Sequence, residues 1–129
     1  MRKVLIIMSH PLTKDQREEL KKAWEVTEFA SLPSRLQKIW SNVPPETESI
    51  TEYLYPIYDW MRFVGFYEDL ALIQGDPGAT FLVVEWARNL GLIPVYATTK
   101  REVKEKQLPD GRVVQERVFK HVKFRVYGK

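Results

Sequence analysis

Residues that could handle a phosphate group follow the ends of apolar runs in this chain. Ser9 and His10 follow the first run, and Lys100 and Arg101 follow the last run before a basic C-terminal region. An imidazole transfers protons near neutral pH, while ammonium and guanidinium groups stabilise charge that develops on phosphate oxygens. We therefore assign His10, Lys100 and Arg101 as candidate catalytic residues, with His10 as the acid, base or orienting group.

The segment at residues 74–80, between a short apolar run and a helix-length apolar run, adds further candidates. Asp76 before Pro77 is typical of a helix N-cap followed by the first helical residue. Gly75 and Gly78 let the backbone turn tightly and a ligand come close. Since a capping Asp76 occupies N–H groups that an anion needs, we expect this helix end to contact ribose or base. The candidate ligand-binding residues are Ser9, Gln74, Gly75, Asp76, Gly78, Ala79, Thr80, Thr98, Thr99, His121 and Arg125.

Each of these residues also has a purely structural interpretation. Asp76 can serve as a helix cap alone, and His10 can be a polar residue that ends a strand. Lys100 and Arg101 can begin a solvated hairpin. At the level of the sequence these alternatives stay open.

Hydrophobic periodicity predicts the elements that position these residues. Apolar runs predict parallel strands at residues 3–8, 26–32, 70–74 and 92–97. Helical spacing predicts crossovers at residues 14–25, 34–40, 46–63 and 77–90, with Pro56 kinking or dividing the third. We predict a Rossmann-like α/β fold, a mostly parallel sheet with helices on both faces, in one domain at residues 1–129 with its core at residues 1–100. Because ligands bind beyond the carboxyl ends of such strands, the candidates should converge there.

The C-terminal part follows another pattern. Pro109-Asp110-Gly111 predicts the turn of an antiparallel β-hairpin at residues 101–129. Alternation along its second arm puts His121, Lys123 and Arg125 on one face, about 6–7 Å from one to the next. That spacing is close to the phosphate spacing of an extended nucleic acid, so we expect His121 or Arg125 to contribute to ligand binding. The alternative is a hairpin that only covers the sheet edge with charge.

The composition excludes several classes of site. The 129 residues are 44% hydrophobic, which fits one domain with a real core. The chain has no cysteine, which excludes disulfides and thiolate metal sites, and two histidines are too few for a histidine-rich one. We expect neither a metal nor a cofactor. No run reaches transmembrane length and the first is too short for a signal peptide, so we expect a cytoplasmic protein.

Charge is distributed unevenly along the chain. From Lys100 onward there are ten Lys or Arg residues and four Asp or Glu residues, whereas the preceding part has ten and thirteen. A basic segment on a mildly acidic body suggests an anionic partner that binds locally, but the charge alone favours a solvated hairpin over such a partner.

Five segments in order resemble one family over nearly the full length of the chain. It comprises the small CARF-like (CRISPR-associated Rossmann fold) accessory proteins of type III CRISPR loci, of the standalone ring nuclease type. The segments are Ser9-His10 with Leu12-Thr13 and Gln16, LQKIWSNVPP at residues 36–45, QGD with GAT at residues 74–80, YATTKR at residues 96–101 and VFKHVKFR at residues 118–125.

The resemblance implies a homodimer that binds cyclic oligoadenylate across its two-fold axis. Within this class of ligands, cyclic tetra-adenylate is the one we expect. It also implies that a ribose 2′-hydroxyl opens the ring without metal and so switches off antiviral signalling. DNA and membranes are not expected partners. Two alternatives remain: a non-catalytic sensor or sponge for the same ligand, and a general RNA-binding module.

The helix predicted at residues 77–90 is apolar nearly all round. One face covers the sheet, so a second face is available to a partner. We therefore expect a two-fold dimer in which the strand ends of both subunits face each other.

Overall fold

The computed structural model describes residues 2–129, so Met1, the first residue of the predicted domain, lies outside the described part of the chain. In chain order the elements are β1 (Arg2–Ile7), α1 (Lys14–Lys22), β2 (Val26–Ser31), α2 (Ser34–Ser41), α3 (Thr51–Val64), β3 (Leu70–Ile73), α4 (Pro77–Asn89), β4 (Ile93–Gln107) and β5 (Val113–Val126). Within residues 2–129, no helix has both the length and the apolar character needed to cross a membrane.

One five-stranded sheet organises the fold, in the order β2-β1-β3-β4-β5. The strands β1 to β4 are parallel, and β5 pairs antiparallel with β4. The alternation of strand and helix patterns in the sequence predicts this mixed α/β fold, with the hairpin added at one edge of the sheet.

Two apolar layers hold the helices against opposite faces of the sheet. Leu5 and Ile7 of β1 belong to the layer under α2, α3 and α4. Val4 and Ile6 belong to the layer under α1, where they join Leu20. Because alternate residues of a strand point to opposite faces and both faces are buried here, β1 is a continuous apolar run in the sequence.

Two predicted helix starts are confirmed by their hydrogen bonds. The Thr13 hydroxyl accepts from the Gln16 N–H at 3.2 Å, and the Gln16 side chain accepts from the Thr13 N–H at 3.0 Å. The Asp76 carboxylate accepts from the Ala79 N–H at 3.0 Å, with Pro77 as the first helical residue. Each cap fixes the direction in which a helix leaves the end of a strand.

The helix predicted at residues 46–63 begins later than the periodicity indicates. It starts at Thr51, and the preceding residues form a turn in which the Thr47 hydroxyl donates to the Pro44 carbonyl at 3.4 Å. Pro56 lies inside a continuous α3 and does not divide it. The proline removes one hydrogen bond, to the carbonyl of Glu52, and because Glu52 is exposed, water can satisfy that oxygen.

The fourth predicted strand does not end at Ala97. β4 continues to Gln107, so residues 98–101 lie in the middle of a strand and not in a loop at its end. Residues 99–107 and 113–121 of β4 and β5 form a two-stranded extension, called the ribbon below. A turn closes it, with the Leu108 N–H donating to the Arg112 carbonyl at 2.8 Å and Gly111 at φ +90°.

A β-bulge at Val122 separates the ribbon from the sheet. The register moves from Lys123 to His121 between neighbouring residues of β4, so Val122 has no partner there. The prediction that His121, Lys123 and Arg125 share one face is therefore wrong, because one extra residue reverses the alternation. His121 turns to the face that carries Phe124, with 4.8 Å between the two ring centres.

Candidate functional site

The strands β1, β2 and β3 end side by side along one edge of the sheet, called the carboxyl edge below. The connection that leaves β1 passes over the face covered by α1, and the connection that leaves β3 passes over the opposite face. In open α/β sheets, the crevice between two neighbouring strands whose connections diverge in this way is where ligands bind. The candidate site is therefore at the carboxyl edge.

A cavity of about 260 Å³ opens at the ends of β1 and β2. We call it the edge pocket. Its polar lining consists of Ser9, His10, Arg17, Ser31 and Gln37. A larger cavity of about 680 Å³ lies between α2 and α3, but no predicted site residue lines it. The edge pocket thus combines an imidazole, a guanidinium, two hydroxyls and an amide in one small space.

Contacts with the surrounding chain hold three of these side chains in place. The Gln37 amide donates to the Met8 carbonyl at 2.9 Å, and the hydroxyls of Ser9 and Ser41 are 2.8 Å apart. The Arg17 guanidinium lies 4.7 Å from the centre of the Phe29 ring. No salt bridge within residues 2–129 involves Arg17, so its positive charge is available to an anion.

Arg17 is a site residue that the sequence reasoning missed. It lies one helical turn beyond Thr13, and its N–H donates to the Thr13 carbonyl at 3.0 Å. The signal was present in the capping box, because a helix that starts beside a strand end presents its first turns to the same site.

Gln74 ties three elements together at the end of β3. Its side-chain oxygen accepts from the Ala97 N–H at 2.7 Å, and its carbonyl accepts from the Trp40 indole N–H at 2.9 Å. Its own N–H donates to the Ile7 carbonyl at 3.0 Å. These bonds join β4, α2 and β1, so Gln74 has a structural task whether or not it also touches a ligand.

The Trp40 ring occupies the space directly over Gly75. A Cβ built on Gly75 would lie 2.7 Å from that ring, closer than side chains pack. Gly75→Ala is therefore expected to lower the free energy of unfolding by about 1–3 kcal/mol, as overpacking of a core does. Urea unfolding followed by tryptophan fluorescence measures the effect.

Gly78→Ala is the matched control for this prediction. A Cβ on Gly78 would meet its nearest atoms at 3.5 and 3.8 Å, which is ordinary contact. Since Gly78 is inside α4, alanine there should leave stability unchanged or raise it by roughly 0.5–1 kcal/mol. Equal stabilities of the two variants would contradict the steric role of Gly75.

The start of α4 faces a third cavity, of about 370 Å³, that Thr80 and Tyr127 both line. The Thr80 hydroxyl is buried and has no hydrogen-bond partner among residues 2–129. The Tyr127 hydroxyl donates to the Ile73 carbonyl, and burial raises the pKa of Tyr127. Ala79 is buried, whereas Asp76 is exposed at the carboxyl edge. Of the predicted residues in this segment, Thr80 therefore borders the cavity, whereas Asp76 faces solvent at the carboxyl edge.

The candidates on β4 do not line the edge pocket. The Thr98 hydroxyl donates to the Lys123 carbonyl at 2.8 Å, which commits it to the sheet. Thr99 and Lys100 are exposed on the ribbon, and Arg101 lies over the Phe119 ring at 5.8 Å. β3 separates β4 from β1, so these residues are two strand spacings, about 10 Å, from the strand that ends at His10.

His121 and Arg125 also have partners in the fold. His121 Nε2 lies 2.6 Å from Glu19 Oε1, and only 7% of the His121 side chain is exposed. Glu19 also accepts from the Phe124 N–H at 2.8 Å and from the Trp24 indole at 3.0 Å. Arg125 donates to the Tyr96 hydroxyl at 3.0 Å. The structure thus places His121 in a contact with α1, and its role toward a ligand stays a prediction.

Glu19 is a half-buried carboxylate that the sequence reasoning did not single out. Burial raises its pKa, but the hydrogen bonds from Phe124, Trp24 and His121 together outweigh burial, so the pKa of Glu19 is below its ordinary value. Glu19 is therefore ionised at neutral pH and joins α1 to β5.

No group of three or more His, Cys, Asp or Glu residues in the described part of the chain is arranged to hold a metal ion.

The chain matches the model of a family described as the uncharacterized protein MJ1673 family over residues 2–125. It belongs to that family. A relative described as uncharacterized protein MJ1673, from Methanocaldococcus jannaschii, is 43% identical over 128 residues, which cover 99% of this chain and 98% of the relative. No solved structure matches the chain.

The match to the MJ1673 family includes both the edge pocket and the ribbon. Chemically, the pocket offers cationic and neutral hydrogen-bond donors together with the imidazole of His10, which can donate or accept a hydrogen bond. Such a set can bind a phosphate, orient a hydroxyl and move a proton. Lys100 and Arg101 offer two more cations outside the pocket, on the ribbon.

Proposed function

We propose that this chain is a CARF-type ring nuclease that binds a cyclic oligoadenylate at the carboxyl edge and opens the ring. One observation carries the proposal: the edge pocket gathers Ser9, His10, Arg17, Ser31 and Gln37 beyond the strand ends. The choice of cyclic oligoadenylate as the ligand rests on the sequence resemblance to small CARF-like proteins. The strand order β2-β1-β3-β4 with helices on both faces supports a Rossmann-like arrangement.

The reaction is a transfer within the ligand. A ribose 2′-hydroxyl oxygen attacks the neighbouring phosphorus, and the bond from phosphorus to the 5′-oxygen breaks. The product is a linear oligoadenylate with a 2′,3′-cyclic phosphate at one end and a 5′-hydroxyl at the other. The nucleotide ring is thus opened without consumption of water. The 2′-hydroxyl loses a proton to a base, for which His10 is our candidate, and the leaving 5′-oxygen gains one. No metal takes part in this scheme.

Two separated groups of cations suit a ligand with several phosphates. Arg17 lies in the edge pocket, where its guanidinium can hold two oxygens of the scissile phosphate. Lys100 and Arg101 stand on the ribbon, at least two strand spacings away, about 10 Å. A ring of several nucleotides carries phosphates that can reach cations in both places.

A sensor or sponge for the same ligand is the second candidate, and one observation favours it. His10 is exposed, and no hydrogen bond from the described residues fixes its ring. Catalytic bases are commonly oriented by a third group, so an unrestrained imidazole suits binding better than proton transfer. Both candidates use the same pocket, and a measurement of cleavage separates them.

Incubation with cyclic tetra-adenylate and cyclic hexa-adenylate in EDTA, resolved by chromatography, tests the proposal. The wild-type protein should open at least one ring. His10→Gln keeps a hydrogen-bonding side chain without a titrating group, so it should bind like wild type by calorimetry but cleave about 100-fold more slowly. Rings that stay intact for hours at excess protein refute the enzyme, and tight stoichiometric binding beside intact rings supports the sponge.

A further inference from the structure

The two faces of the ribbon differ in composition. Residues paired across the strands share a face, so Arg101 with Phe119 and Val103 with Arg117 lie on one side, called the aromatic face below. The other residues of the aromatic face are Thr99, Glu105, Gln107, Val113, Gln115 and His121. The opposite face consists of four lysines, two valines and two glutamates. The aromatic face therefore brings together the phenylalanine and both arginines of the ribbon.

The apolar side chains of the aromatic face are uncovered. Val103, Val113 and Phe119 are 55%, 59% and 66% exposed. An isolated two-stranded ribbon is marginally stable in water, and a projecting surface with uncovered apolar side chains marks an interaction site. The aromatic face is therefore the part of the ribbon that a ligand would cover.

The two arginines flank the Phe119 ring. Arg101 is directly opposite Phe119, with its guanidinium carbon 5.8 Å from the ring centre. Arg117 is the next residue of β5 on the same face, about 6–7 Å from Phe119. Arg101 and Arg117 are diagonal neighbours about 7–8 Å apart, which is close to the phosphate spacing of an extended nucleic acid. A base stacked on Phe119 would thus have a guanidinium within reach of the phosphate on either side.

The net charge of the ribbon favours an anionic ligand. Its nine cross-strand pairs include six Lys or Arg residues and three Glu residues, a net charge of +3. That equals the net charge of the whole chain, so the rest of the chain is neutral on balance. The ribbon is therefore the main source of the positive field that an approaching anion meets.

We propose that the aromatic face binds single-stranded nucleic acid, with a base stacked on Phe119 and the flanking phosphates held by Arg101 and Arg117. Every base has a π-face, so stacking of this kind accepts any sequence. Nine paired residues on each strand, at about 3.3 Å per residue, make the ribbon about 30 Å long, which is room for about four nucleotides.

This site goes beyond the proposed function, because it takes an open strand and lies outside the edge pocket. Arg101 is also a candidate contact of the cyclic ligand. Phe119 and Arg117 belong only to the aromatic face, so these two residues separate the two sites.

Fluorescence anisotropy of a labelled oligouridylate of about twelve nucleotides tests the proposal. Wild type should bind it, with an affinity that falls as salt rises, because binding releases counterions. Phe119→Ala should weaken binding about tenfold or more, the usual loss for one stacked base. A wild type that does not bind the strand, or a Phe119→Ala variant that binds like wild type, would overturn the proposal.

Phe63→Ala is the matched control for Phe119→Ala. Phe63 is 90% exposed near the end of α3, away from the ribbon and beside the start of β1, where the Lys3 ammonium donates to the Val64 carbonyl at 2.7 Å. It should bind the oligouridylate like wild type. An equal loss in both variants would show that any exposed aromatic ring serves, which contradicts a defined site.

A second pair of variants separates the two faces of the ribbon. Arg117→Gln and Lys104→Gln each remove one positive charge, at neighbouring cross-strand pairs but on opposite faces. Arg117→Gln should weaken binding and lower the slope of log affinity against log salt by about 0.7, the value for one phosphate contact on a single strand. Lys104→Gln should keep the wild-type slope. Equal effects would show that binding depends on charge alone, and the proposal would be wrong.

Two further strands define the ligand. Oligothymidylate of the same length separates DNA from RNA: binding of either single strand supports the proposal, and the ratio of the two affinities shows which sugar is preferred. A duplex of the same length should bind more weakly, because its bases are stacked on one another and cannot reach Phe119. A duplex that binds as tightly as the single strands would contradict stacking.

Other occupants of the aromatic face give different results. Phe119→Ala should open cyclic tetra-adenylate at the wild-type rate; loss of ring opening with strand binding intact would assign the face to the cyclic ligand. A change of mass by light scattering with strand binding intact would make it an interface between copies. Circular dichroism confirms that each variant is folded. Rings opened by a protein that binds no strand overturn only this proposal, and strand binding beside intact rings overturns only the nuclease.

Discussion

Arg17→Ala is expected to slow ring opening about 100-fold or more, the usual cost of removing one donor that stabilises transition-state charge. The guanidinium lines the edge pocket beside Ser9 and His10, and no salt bridge in the described part of the chain neutralises it. When the 2′-oxygen attacks, negative charge accumulates on the phosphate oxygens that this group would hold. Single-turnover cleavage of cyclic tetra-adenylate, resolved by chromatography, measures the loss.

Lys21→Ala is the matched control for Arg17→Ala. Both side chains belong to α1 and lie over the Phe29 ring, at 4.7 Å for Arg17 and 6.0 Å for Lys21, but Lys21 does not line the pocket. It should cleave at the wild-type rate. Arg17→Lys keeps the charge but loses the two-pronged geometry, so it should fall between the two. A wild-type rate for Arg17→Ala would remove Arg17 from the mechanism.

Glu19→Ala is expected to lower the free energy of unfolding at pH 7 by about 3 kcal/mol, because removing this half-buried carboxylate leaves three hydrogen-bonding groups without their charged partner. The groups left without an acceptor are the Phe124 N–H, the Trp24 indole N–H and His121 Nε2. Urea unfolding measures the change. Glu18→Ala is the control on the same helix, since Glu18 is exposed and forms a surface ion pair with Lys22; it should leave stability unchanged.

The effect of Glu19 should depend on pH in a defined direction. The pKa of Glu19 is lowered in the folded protein. Its contribution to the free energy of unfolding is therefore fully present above the pKa of a glutamate in the unfolded chain, about 4.3. That contribution is lost as the pH falls through the lower, folded value. The difference in stability between wild type and Glu19→Gln should therefore shrink between pH 6 and pH 3, and a difference that stays constant would contradict the ionised contact.

The sequence predicted elements whose signals are local. β1 is a continuous apolar run because both its faces are buried, and the caps at Thr13 and Asp76 are set by residues three positions apart. Ser9 and His10 were found because polar residues after a buried strand must lie at its end. For each of these, neighbouring residues alone determine the outcome.

Pairings between distant residues could not be predicted in the same way. Thr98 and Thr99 suit both a strand and its end, and only pairing with β5 carries β4 on to Gln107. The bulge at Val122 was not located, because the interruption of the alternation at Lys120 does not by itself show which residue of β5 is left without a partner. Glu19 and His121 are 102 residues apart, so their contact depends on the position of β5 in the finished sheet.

The bulge at Val122 also marks the boundary between the central sheet, whose local stability is high, and the ribbon, whose local stability is low. The amides of β1 and β3 lie between two buried layers, whereas those of the ribbon are covered on neither face within a single chain. Opening an unsupported hairpin costs little free energy, while opening central strands costs nearly as much as global unfolding. Amide hydrogen exchange in a single chain should then advance from the ribbon tip and stop at the bulge, where Phe124 anchors β5 in the core. A covering partner would slow exchange on the ribbon side alone.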